Sequence, residues 1–87
     1  MISFKNKNIL ITGATGGIGN ALIKKFVSLG GNVLGTGTKP EKLDQIKKKY
    51  PNIKVKKFDI SEHSRIEGFL DDVALELATL VEDRFDN

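Results

Sequence analysis

Four glycines, at positions 13, 16, 17 and 19, fall within one short segment of this 87-residue chain. The segment reads Thr12-Gly13-Ala14-Thr15-Gly16-Gly17-Ile18-Gly19. The apolar run Ile9-Leu10-Ile11 stands directly before it, and residues with helical spacing follow it. A glycine turn placed between a strand and a helix can cradle phosphate. The first glycine permits a tight turn, the middle one lets backbone approach a ligand without a Cβ in the way, and the last lets helix and strand pack closely. The start of the helix then offers unpaired N–H groups and a partial positive charge, which suits a pyrophosphate. Other chemistry-bearing side chains are few. There is no cysteine, hence no disulfide, no thiolate and no cysteine-ligated metal, and no metal site is expected. His63 is the single histidine, and its place in the first turn of an acidic helix predicts an exposed residue without a catalytic role.

The elements that must position the turn follow from periodicity. Lys7 to Thr12 is predicted as a first strand, its continuous apolar run suited to a strand covered on both faces. Ile18 to Leu29 is predicted as a helix, with Ile18, Leu22, Phe26 and Leu29 on one stripe and Ala21 and Ile23 beside it. Gly30-Gly31 stops it. Asn32 to Thr36 is a second strand. Thr38 or Lys39 caps a second helix that has Pro40 in its first turn and Leu43, Ile46 and Tyr50 on its apolar side. Pro51-Asn52 ends that helix, and Ile53 to Phe58 is a third strand. Ser61 is expected to cap a third helix, with Ile66, Phe69, Leu70, Val73, Leu77, Leu80 and Val81 as its stripe. The expected fold class is therefore α/β, a partial Rossmann-like three-layer parallel sheet of order β-α-β-α-β-α with strands arranged 3-2-1. Residues 1–87 are expected to form a single, partial domain with no second domain.

Charge is uneven. Residues 1–57 hold 12 lysines against Glu41 and Asp44, which leaves +10, and residues 58–87 hold Arg65 and Arg84 against nine acids, which leaves −7. The lysines are spread over several elements and are not interleaved with aromatics, so the expectation is a solvated surface and no nucleic-acid partner. No apolar run approaches the roughly 20 residues of a membrane helix. No leader pattern opens the chain, so a cytoplasmic location and no membrane partner are expected.

The pattern Thr-Gly-x-x-x-Gly-x-Gly, met here at Thr12, Gly13, Gly17 and Gly19, resembles the short-chain dehydrogenase/reductase family. The opening, Phe4 to Gly13, is similar to it as well. Within the family, the stretch Gly31 to Thr38 is similar to the second strand and following loop of the 3-oxoacyl-[acyl-carrier-protein] reductases of fatty-acid biosynthesis. The resemblance implies an NAD(P)-dependent oxidoreductase whose turn residues Gly13, Ala14, Thr15, Gly16, Gly17, Ile18 and Gly19 hold the cofactor. It also implies that Asp59 accepts a hydrogen bond from the adenine amino group and that Ile60 lies against the ring.

Relatives that prefer NAD carry an acid at the end of the second strand, where it meets the ribose hydroxyls. Here that region reads Gly35-Thr36-Gly37-Thr38-Lys39. Thr38 can donate to a phosphate oxygen and Lys39 can neutralise its charge, so NADP(H) is expected over NAD(H). Many NADP-dependent relatives have a basic residue at the position of Gly16, and this chain does not. The resemblance further implies, after the third helix, a fourth strand ending in Asn-Asn-Ala-Gly and farther on a serine and a Tyr-x-x-x-Lys pair, and no such set follows that helix in the 87 residues. Tyr50 and Lys54 match the last spacing by chance, at a helix end beside a strand. No catalytic residue is therefore assigned, and these residues alone are expected to be inactive. A strand one lacking a neighbour on one side predicts a homo-oligomer, through that open edge or the last helix. The alternative reading is a non-catalytic nucleotide-binding or self-associating module.

Overall fold

Successive side chains of a strand point to opposite faces, so an Ile-Leu-Ile run needs cover on both sides. The computed structural model, which describes residues 2–85 and the side chains of residues 2–76, supplies it. Strands β1 (Asn8–Ile11), β2 (Asn32–Gly37) and β3 (Lys54–Lys57) form one parallel sheet with β2 in the middle. The register pairs Ile9 with Val33 and Gly35 with Val55. Helices α1 (Gly17–Ser28) and α2 (Pro40–Lys49) follow β1 and β2, and α3 (Ile66–Phe85) follows a 3-10 turn at His63–Arg65. This is the α/β, Rossmann-like arrangement expected, with strands ordered 3-2-1.

Two apolar clusters separate the layers. Ile11, Ala14, Ile23, Val33, Ile46 and Ile53 pack on one face with Ile9, joining α1 and α2 to the sheet. Leu34, Phe58, Phe69 and Val73 pack on the other with Leu10, joining α3. The alternation along β1 thus divides the isoleucines from Leu10. Burial of Ile23, Leu34 and Ile53 is essentially complete, and each contributes roughly 1.5–3 kcal/mol of transfer free energy. The ring of Phe58 stacks on that of Phe69 with centroids 3.9 Å apart, which fixes the end of β3 against α3. Lys47 closes the α2–β3 connection, its Nζ donating to the carbonyls of Pro51 (2.9 Å) and Ile53.

Several boundaries and faces differ from expectation. The first strand is shorter than Lys7 to Thr12, because Lys5 and Asn6 form a turn and Thr12 already belongs to the glycine turn. Strand two extends through Gly37, and strand three starts at Lys54, leaving Ile53 and Phe58 buried just outside it. On α1 the buried centre is Ile23, whereas Ile18 and Leu22 are 81% and 41% exposed. Helical spacing alone cannot say which edge of a broad apolar arc meets a three-stranded sheet, and Gly19 sets it by bringing its side of the helix onto the turn. On α3 Phe69 and Val73 are buried while Leu70 is 47% exposed. The predicted stripe positions Leu77, Leu80 and Val81 lie outside the described side chains.

Candidate functional site

The glycine turn leaves β1 at Thr12 and doubles back over β2. Gly13 has φ +63°, a conformation that costs an L side chain and is free to glycine. The Ala14 N–H donates to the Thr36 carbonyl at 2.8 Å, and Ala14 is fully buried. That seat exists because β2 carries glycine at 35 and 37. A Cβ on Gly35 would lie 2.9 Å from the Ala14 Cβ, and one on Gly37 would lie 3.0 Å from the Thr15 Cγ2. These two glycines were not singled out as site residues from the sequence. Their signal is the i, i+2 spacing, which puts both on the same face of a strand.

Gly16 is the N-cap of α1, in extended conformation, with no side-chain cap and no acid in the first turn. The first intrahelical bond runs from the Asn20 N–H to the Gly16 carbonyl at 2.9 Å. The N–H groups of Gly17, Ile18 and Gly19 therefore precede the helix ladder, as at any helix start. The three helix-side glycines do different work. A Cβ on Gly19 would collide with the Gly13 carbonyl oxygen and stand 2.8 Å from the Ala14 Cα. Gly16 meets only the Gly13 oxygen, at 3.6 Å, and Gly17 meets nothing within 4 Å. Gly19 is thus required by packing, while Gly17 leaves open space beside unpaired amides.

The other expected residues lie at the same, carboxyl-terminal edge of the sheet, where open α/β sheets bind ligands. Thr38 and Lys39 are exposed after β2, with Lys39 as the N-cap of α2 and Pro40 at the first helical position. Asp59 and Ile60 are exposed after β3, Ile60 at 53%. The Phe58 N–H donates to the Gly37 carbonyl at 3.0 Å, which holds the ends of β2 and β3 side by side. A cleft of about 460 Å³ between them is lined by Thr38, Lys57, Phe58, Asp59, Glu62 and Arg65.

Ser61 does not cap a helix. Its hydroxyl donates to Asp59 Oδ1 at 2.6 Å and its N–H donates to the same oxygen at 2.9 Å. An acid two residues upstream competes for the serine, and the chain makes a 3-10 turn before α3 begins at Ile66. The hydroxyl first, and then the N–H, hold the Asp59 carboxyl below its ordinary value of 3.8. A lowered value favours the charged form, so whatever this contact contributes is present above the ordinary value and lost as pH falls through the lowered one. Ser61→Ala is expected to move the Asp59 midpoint up, toward its ordinary value, in a carboxyl-carbon NMR titration. An unchanged midpoint would show that the hydroxyl does not set it.

His63 is exposed in the 3-10 turn. Tyr50 is the C-cap of α2 and Lys54 opens β3, so the chance Tyr-x-x-x-Lys spacing does not lie on one helix. Among the described residues no cluster of histidine or carboxylate side chains could hold a metal ion, and no helix is long and apolar enough to cross a membrane.

Known proteins resemble this chain in sequence and in fold. An uncharacterized oxidoreductase of Bacillus subtilis, DltE, is 36% identical over 63 residues, which is 72% of this chain and 25% of that protein. The NADP-dependent 3-hydroxy acid dehydrogenase YdfG of Escherichia coli is 32% identical over 63 residues, 71% of this chain and 25% of that protein. The chain thus spans about a quarter of the length of these relatives. Among solved structures, a short-chain dehydrogenase from Streptomyces avermitilis superposes with a TM-score of 0.74 at 32% identity, over 83% of this chain and 27% of that one. A 2-keto-3-deoxy-D-gluconate dehydrogenase from Streptococcus agalactiae superposes with a TM-score of 0.73 at 26% identity, over 86% and 30%. The profile of the short chain dehydrogenases matches residues 7–81. A turn seated on β2 by two glycines, read together with these matches, makes the chain a member of the short chain dehydrogenase family.

Proposed function

We propose that these residues form the cofactor-binding part of an NADP(H)-dependent oxidoreductase, as one partial dinucleotide-binding domain. The observation that carries the reading is Gly17. Its missing side chain leaves open space at the N-terminus of a helix with no capping side chain. In this reading the amides of Gly17 and Ile18 hold the pyrophosphate, with Gly13 to Gly16 shaping the turn and Gly19 seating the helix. Thr38 and Lys39 meet the adenosine ribose, and Asp59 and Ile60 frame the adenine. Asp59 keeps one carboxylate oxygen free of Ser61 to accept from the base. The bound cofactor would supply or accept a hydride. The residues present hold and orient it, and none of them is assigned to proton transfer.

NADP(H) is favoured because β2 ends in Gly37-Thr38-Lys39 with no acid before Glu41. The E. coli relative is likewise named as NADP-dependent. NADPH is expected to bind about tenfold more tightly than NADH at low salt, the scale of one charge-assisted contact. Equal affinities by calorimetry would remove the preference. For the substrate, similarity of Gly31 to Thr38 to 3-oxoacyl-[acyl-carrier-protein] reductases favours a 3-oxoacyl thioester, handled in the cytoplasm.

A second reading, self-association, rests on a separate observation. Among the described residues β1 pairs with β2 alone, and α1 exposes Ile18 and Leu22. An unpaired strand edge is a template for another chain. Light scattering at tens of micromolar is expected to give a dimer or larger species, and a monomer would contradict it.

A further inference from the structure

The two outer strands of the sheet differ in chemistry. β1 reads Asn-Ile-Leu-Ile and β3 reads Lys-Val-Lys-Lys. Among the described residues β3 pairs with β2 alone. Gly37 stands opposite Lys57, and its carbonyl accepts from the Phe58 N–H at 3.0 Å. In a parallel ladder the two residues flanking such a partner, here Lys56 and Phe58, turn their backbone groups inward. The N–H and C=O groups of Val55 and Lys57 therefore face away from β2, and no described residue bonds to them.

A groove of about 730 Å³ runs beside this edge. Helix α3 packs over β2 and reaches β3 through the ion pair of Lys56 with Glu76, 3.0 Å long. Lys56, Lys57 and Phe58 line one side of the groove, and Gly68, Phe69 and Asp72 of α3 line the other. The buried, stacked rings of Phe58 and Phe69 supply its apolar surface. A Cβ on Gly68 would meet nothing within 4 Å. Glycine within a helix is less stable than alanine, and no contact requires it here, so its effect is to widen the groove.

Lysines select what can pair with the edge. Lys54 and Lys56 stand on the α3 face of the strand and Lys57 on the other. The ion pairs among the described residues engage Lys56 and Arg65, which leaves Lys54 and Lys57 without a carboxylate. Pairing with a second copy of β3 would set lysine against lysine, which is unfavourable. A strand that brings acids meets the opposite condition, and rejection of the like-charged partner adds to the selectivity.

We infer that β3 accepts an extended acidic segment of a partner protein as a fourth strand, its backbone bonding to Val55 and Lys57 and its carboxylates meeting Lys54 and Lys57. In strand addition of this kind the main chain gives affinity, and the flanking groove and charges give specificity. The inference stands apart from the cofactor reading, since the edge and its groove need no nucleotide.

The test titrates the isotope-labelled chain with three short peptides at low salt, followed by amide chemical shifts and amide exchange with solvent. One alternates glutamate with valine, one alternates lysine with valine, and one alternates glutamate with proline. The glutamate–valine peptide is expected to give saturable shifts in the millimolar range and to slow exchange at the Val55 and Lys57 amides. The lysine–valine peptide should not bind. The glutamate–proline peptide carries the same charge without the backbone donors of a strand, and should leave that exchange unchanged. Lys57→Glu is expected to weaken the glutamate–valine peptide about fivefold. Gly68→Leu fills the groove and should weaken it severalfold while leaving thermal stability level or raised. Equal binding of both glutamate peptides would reduce the edge to a basic surface open to any polyanion and overturn the inference. Equal binding of both valine peptides, shifts centred on Asn8 to Ile11, or no binding at millimolar concentration would overturn it as well.

Discussion

Gly19→Ala is expected to destabilise the fold outright. The added Cβ would collide with the Gly13 carbonyl oxygen and stand 2.8 Å from the Ala14 Cα. Both are backbone atoms, so no side chain can swing away. The turn cannot retreat either. Ala14 is fully buried, its N–H is bonded to Thr36, and its Cβ already rests over Gly35. Relief requires lifting α1 off the sheet, which opens the cluster around Ile23. The cost should reach about 3 kcal/mol, the upper range for overpacking. A chain of this length has a total stability of about 4–13 kcal/mol. Thermal unfolding by circular dichroism should shift down by about 12 °C or more, or lose its cooperative transition. A midpoint within about 2 °C of wild type would show that the turn and helix are not packed as described.

Gly17→Ala should have the opposite profile. Its Cβ meets nothing within 4 Å, and alanine at a helical position is favoured over glycine by about 1 kcal/mol. Stability is expected to stay level or rise slightly. The methyl group would occupy the space that backbone amides need open toward a pyrophosphate, and NADPH affinity should fall tenfold or more, about 1.4 kcal/mol. Loss of binding with the fold intact separates the ligand role of this glycine from the packing role of its neighbour. Unchanged affinity would move the pyrophosphate away from this turn.

Much of this was legible in the residues. The alternation of period-two and helical segments specified a parallel α/β sheet, and glycine placed between strand and helix located the turn. Three features were not legible, each for a physical reason. The buried centre of α1 depends on how the helix is rotated against the sheet. Gly19 sets that rotation through a contact with Gly13, and the apolar spacing of Ile18, Leu22 and Phe26 does not encode it. The role of Ser61 was decided by competition, since Asp59 two residues before it offers a local acceptor in place of a helix end. The seat of the turn on β2 involves Gly35 and Gly37, which in sequence read as ordinary strand residues until Ala14 and Thr15 are placed over them.

The central claim is that one edge of the sheet, from Gly13 to Gly19 with Thr38, Lys39, Asp59 and Ile60, holds a nicotinamide dinucleotide. The most direct test is a titration of the isotope-labelled chain with NADPH, followed by amide chemical shifts. The account predicts saturable shifts concentrated at Gly13 to Gly19, at Thr38 and Lys39, and at Asp59 to Ser61, with Asn8 and Asn32 at the opposite end of the sheet unmoved. Absence of shifts at millimolar NADPH, or shifts centred on the far end of the sheet, would contradict it.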